Sequence, residues 1–147
     1  MNTIQRTLSL LLIAGTVGLA GCASTPEQPK QTKTIYHINL GLDQASNGLR
    51  NIRNHLAAEP NAKITVVTHA LGIDFLLDGA KDKNGNPYQI IVEDLVTKGV
   101  DFRVCNFTLT SRKIDPKLVI SEAKIVPSGV AEVGKLQTYE GYAYLKP

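Results

Sequence analysis

The chain has 147 residues, 43% hydrophobic and 20% charged, with a formal net charge of +3. That length suits one domain with a core of its own. The charge is too small and too evenly spread to argue for a nucleic-acid partner.

The first predicted element is a leader. MNTIQRTLSLLLIAGTVGLAGC carries Arg6, an apolar run from Leu8 to Leu19, and small residues before Cys22. This pattern predicts a secretory signal over residues 1–21. The apolar run falls short of the roughly 20 residues that a spanning helix needs. Leu19–Cys22, LAGC, resembles the bacterial lipobox. The resemblance implies acylation of the Cys22 thiol, cleavage before it, and the lipid bilayer as a partner. Ala23, where an Asp would signal retention, implies the periplasmic face of the outer membrane of a Gram-negative cell. ASTPEQPKQTKT follows, with two prolines and no large apolar residue. It predicts a flexible tether over residues 22–34, ahead of a domain over residues 35–147.

Within the domain, TIYHINL reads as a strand. ASNGLRNIRNHLAAEP reads as a helix, because Leu49, Ile52 and Leu56 recur at three and four residues. Asp43 is expected to cap its start and Pro60 to mark its end. AKITVVTHA is a second strand, LGIDFLLDGA a short helix, and KDKNGNP a solvated turn. YQIIVEDLVTKG is a helix with Ile91 and Leu95 inward. VDFRVC is a third strand, NFTLTSRKI a helix and DPKLV a helical turn. AKIVP is a fourth strand. SGVAEVGKLQTYE is a helix capped by Ser128, and YAYLKP is a last strand. Such alternation predicts an α/β fold: a flavodoxin-like three-layer structure around a mostly parallel five-stranded sheet.

In a parallel sheet, chemistry gathers beyond the carboxyl ends of the strands. Asn39, His69, Cys105 with Asn106, and Ser128 with Gly129 all fall there. With Cys22 lipidated, Cys105 has no partner in the chain, although exported proteins usually pair their cysteines. It ends a strand and precedes a helix, where N–H dipoles favour a thiolate. Arg103, Arg112 and Lys113 are expected to add positive charge. Burial as a small inert hydrophobe is the alternative. His69 is a candidate hydrogen-bonding support for the thiolate. His37 and His55 read as structural or solvated. Asn39, Asn106, Ser128 and Gly129 are candidate rim or anion-binding residues. Three scattered histidines and one thiol show no metal spacing, and no phosphate-loop or dinucleotide fingerprint points to a cofactor.

FRVCNFTLTSRKID resembles the stretch around the sulfur-accepting cysteine of the DsrE/DsrF-like family. IYHINLG, LRNIRNHL, KITVVTHALGIDFLLDGAKDKNGNPY and VPSGVAEVGKLQ extend the resemblance over nearly the whole domain. It implies a flavodoxin-like fold, a homo-oligomer such as a dimer or trimer, and a sulfur-relay role in which Cys105 carries sulfane sulfur as a persulfide. Sulfur donor and acceptor proteins, or small sulfur compounds, are the implied partners. Export and lipidation set this chain apart from the cytoplasmic relay members. Two other readings stand beside the carrier: an oligomeric binding or assembly module with a structural Cys105, and a small-anion binding module.

Overall fold

In the computed structural model, which describes residues 31–147, β1 (Lys33–Ile38), β2 (Lys63–Thr68), β3 (Asp101–Cys105), β4 (Ala123–Val126) and β5 (Ala143–Leu145) join into one sheet. The leader, Cys22 and most of the tether lie outside the described residues. Every pair of neighbouring strands is parallel, in the order β4-β3-β2-β1-β5. The connecting helices are α1 (Leu42–Ala58), α2 (Tyr88–Thr97), α3 (Asn106–Ser111) and α4 (Gly129–Glu140). Short 3₁₀ segments run over Ala70–Leu76 and Pro116–Leu118. The architecture is three-layered α/β of the flavodoxin-like class, with a strand order distinct from the 2-1-3-4-5 of flavodoxin itself.

That order sets where the helices lie. From β1 to β4 each crossover steps the same way across the sheet. With right-handed crossovers the intervening helices fall on one face. Only the step from β4 back to β5 reverses, and it carries α4 to the opposite face. The cores match this. Ile38, Ile64, Val66, Phe102 and Val104 pack with Leu49, Ile52 and Leu56 of α1 and Val92 and Leu95 of α2. On the other face Ile35 and Val67 pack with Leu136 of α4 and with Tyr142.

The expected inward face of the first helix is correct, but its cap is not. Asp43 sits inside the first turn and makes no capping bond; Gly41 occupies the N-cap position at φ 101°. The N–H groups just ahead of the helix are satisfied by Gln44, whose Oε1 accepts from Asn39 and Leu40 at 2.7 and 2.8 Å. A side chain in the first turn of the helix reaches back and fixes the chain ahead of the N-cap, which itself receives no side-chain cap. β1 starts at Lys33, within the stretch read as tether, and Thr34 is already buried.

Candidate functional site

The register of the sheet assembles the site. Thr68 pairs with Val104, and Ile38 with Thr68. One step further, Cys105, His69 and Asn39 stand in a row at the carboxyl edge. Odd-numbered side chains of β1 and β3 share the α4 face with His69. The row is closed from above by Gly129, the first residue of α4. A Cβ there would lie 2.9 Å from the Thr68 carbonyl oxygen and 3.3 Å from both Cys105 Cβ and His69 Cβ. Only glycine lets α4 start this close, so Gly129 belongs to the site for steric reasons.

Cys105 is only 4% exposed and is a free thiol. Burial alone would push its pKa up. The Gly129 N–H, the Thr108 hydroxyl and the N–H groups of Thr108 and Phe107 outweigh burial and bring the thiol below its ordinary value. Cys105 occupies the N-cap position of α3, with Phe107 and Thr108 at the positions whose N–H groups face a capping side chain. The sulfur closes no conventional capping bond; it lies in the field of these donors. Thr108 is fixed from its other side, where its Oγ1 accepts from the Ala70 N–H at 3.0 Å. Ala70 holds the left-handed conformation, φ 50°, directly after His69. Such strain is uncommon for a residue with a Cβ.

The positive charge expected from the arginines goes elsewhere. Arg103 does share the face of Cys105, but it is bonded to Asp101 and Glu132. Arg112 pairs with Asp74 at 2.5 Å and donates to the Ala70 carbonyl. Neither is among the groups that lower the thiol pKa. Long side chains on a polar face find carboxylates first, and backbone dipoles are left to serve the sulfur.

His69 lies beside Cys105, with its pKa lowered by burial and by Lys146. Asn39 leaves its Oδ1 buried without a partner. Asn106 is half-buried at the start of α3. Ser128 caps α4 as expected: its Oγ accepts from the Ala131 N–H at 3.3 Å. That use engages the Ser128 hydroxyl. His37, read as structural or solvated, stacks against His69 with ring centroids 4.7 Å apart. Its Nδ1 meets the Tyr144 hydroxyl at 2.7 Å. Sequence reasoning also missed Thr108, three residues after Cys105; the N-cap to N3 spacing was the available signal. Surface recesses elsewhere, such as one of about 490 Å³ beside Arg50, Asp82 and Tyr88, bring no comparable groups together.

Fold and site together define a parallel three-layer α/β protein with a buried free thiol at the end of its third strand, set among N–H and O–H donors. The chain belongs to the DsrE/DsrF-like family, whose model matches residues 23–147. It is similar to a solved protein of unknown function from Methanobacterium thermoautotrophicum, at 27% identity and a TM-score of 0.70, over 80% of this chain and 100% of that one. It is also similar to the ychN protein from E. coli, at 18% identity and a TM-score of 0.64, over 80% of this chain and 99% of that one. No curated protein matches it by sequence.

Proposed function

We propose that this chain is an envelope-anchored sulfur-handling protein in which Cys105 accepts and presents sulfane sulfur. The observation that carries the reading is the seating of a buried Cys105 at the N-cap of α3 and against Gly129, the first residue of α4, where backbone N–H groups and the Thr108 hydroxyl lower a thiol pKa that burial alone would raise. In the proposed step the Cys105 thiolate attacks the outer sulfur of a persulfide donor, R–S–SH. The S–S bond breaks, R–S⁻ leaves, and the transferred sulfur keeps its proton as Cys105–S–SH. Such a persulfide is a reversible cap on a thiolate. Presentation is the reverse step toward an acceptor thiolate. The lipobox resemblance at Cys22 supports lipid anchoring, and Ala23 after it supports the periplasmic face of the outer membrane.

The burial of Cys105 favours a second reading, an oligomeric binding module with a structural thiol. Leu40, Leu71, Phe107 and Val130 are all exposed near the same edge of the sheet. Intact mass of the mature chain after exposure to polysulfide separates the two. One added sulfur on Cys105, removed by mild reductant and absent from Cys105→Ser, is the result expected of a carrier. A native chain that resists both polysulfide and iodoacetamide sinks the carrier and leaves the binding module.

A further inference from the structure

Two buried polar atoms on the end of β1 have no partner: His37 Nε2 and Asn39 Oδ1. Residues 37 and 39 share one face of the strand, the face of Cys105 and His69. Buried polar atoms are nearly always satisfied, so a pair of orphans marks a place for something that bonds to both. The Asn39 amide can turn either its oxygen or its NH₂ inward.

The orientation of His37 is fixed by its other contacts. Nδ1 is held by the Tyr144 hydroxyl and the ring by His69. Its pKa is pushed down to about 4 by burial, by His69 and by Lys146, so the ring is neutral near pH 7. When Tyr144 donates to Nδ1, Nε2 carries the proton and offers an N–H donor. Lys146 adds a full positive charge. One pair beyond Tyr36–Leu145 in the register, it stands beside His37, and its charge acts on both histidines. α4 begins over Cys105 and His69, and its inward Leu136 packs on Ile35 and Val67, toward the amino end of β1 and β2. His37, Asn39 and Lys146 thus form the corner of the polar face between His69 and β5.

From this juxtaposition we infer that His37, Asn39 and Lys146 form an oxyanion subsite beside Cys105, which receives the anionic end of a sulfane-sulfur donor of the thiosulfate or thiosulfonate class. The inference rests on the sulfur-handling reading and specifies its donor. An anionic donor approaching a thiolate meets like-charge repulsion; a neighbouring ammonium and neutral N–H donors offset it. With thiosulfate the step balances. The Cys105 thiolate attacks the outer sulfur, the S–S bond breaks with its electron pair going to the leaving group, sulfite departs into the subsite, and Cys105–S–S⁻ remains. No external oxidant, reductant or proton is needed.

The test uses the full-length chain in detergent micelles, with thiosulfate as the probe. Persulfide formation on Cys105 is expected to saturate with thiosulfate. It is expected to slow tenfold or more in Lys146→Gln and His37→Leu, while alkylation by neutral iodoacetamide changes less than twofold. Equal slowing of both reactions would overturn the subsite, since the variants would then act on the thiol itself. A binding arm on Cys105→Ser, which cannot react, keeps the subsite testable if the carrier reading fails. Thiosulfate should shift the ring nitrogens of His37 and His69 in NMR spectra, and Lys146→Gln should abolish the shift. Rings that stay unmoved at millimolar thiosulfate would mean a water-filled corner only, and the subsite would be wrong whatever Cys105 does.

Discussion

On one face of the sheet Ile38, Ile64, Val66, Phe102 and Val104 pack beneath α1 and α2; on the other, Ile35 and Val67 share the surface with His37, Thr65, Arg103 and Cys105 beneath α4. The first face is apolar and needs nothing further. The second is polar, and four of the five buried side-chain atoms without a partner among the described residues belong to it: His37 Nε2, Asn39 Oδ1, Thr65 Oγ1 and Tyr142 OH. A sheet with helices on both sides can thus divide stability from chemistry, because strand alternation lets each face be composed separately. Chain order makes the division. Three crossovers cover one face, and a single return across the sheet covers the other.

The comparison breaks most visibly at Phe102, fully buried on the apolar face. Phe102→Ala is expected to cost about 3–5 kcal/mol in urea unfolding while leaving the thiol pKa in place. On the other face, Gly129→Ala forces a Cβ against the Thr68 carbonyl. It should cost about 1–3 kcal/mol and also raise the thiol pKa, read from the pH dependence of iodoacetamide alkylation. An unchanged pKa would remove the Gly129 N–H from the site. Thr108→Val leaves the Ala70 N–H without its acceptor, at about 1–2 kcal/mol, and raises the thiol pKa; Thr108→Ser should restore both.

A smaller effect separates the faces by pH. The Cys105 pKa is lower folded than unfolded, so between the two values the unfolded chain holds the extra proton. Stability then rises with pH through that window. The thiolate contribution is complete above the unfolded thiol value, about 8.5, and is lost as pH falls through the folded one. Cys105→Ser should flatten this slope in unfolding curves taken across the window. His37 gives a second slope: unfolded it takes a proton near pH 6.5, folded only at about 4, so stability falls on acidification between them. His37→Leu should remove that acid slope. Smallest is Phe107→Ser, at an exposed position, expected to stay within about 0.5 kcal/mol. If the assembly reading holds, light scattering should nevertheless show a smaller particle.

The order of strands and helices was legible because each element carries its own period or breaker. Leu49, Ile52 and Leu56 are all buried, and Ser128 does cap α4. Cys105 stood out by arithmetic on cysteines, and His69 by following a strand. What could not be read was convergence. His37 and Tyr144 are 107 residues apart and meet only because β5 pairs with β1, which no local pattern announces. The partners of Arg103 were likewise undecided until α4 brought Glu132 beside it, with Asp101 two residues back on the same strand. Asp43 misled because a residue of good capping type sat two positions inside the true boundary, which Gly41 holds without a side-chain cap.

In an all-parallel sheet every strand starts at one edge and finishes at the other, so the molecule has a head and a tail. The chain enters the sheet at the tail, at Lys33, and the thiol lies at the head. Six residues of β1 separate the two edges by about 20 Å, and the ten residues from Ala23 to Thr32 reach at most about 35 Å when fully extended. On the proposed anchor at Cys22, the attachment point and the thiol would thus lie at opposite ends of the domain. The sulfur could then be carried up to roughly 50 Å from the lipid, a reach set by tether and strand together.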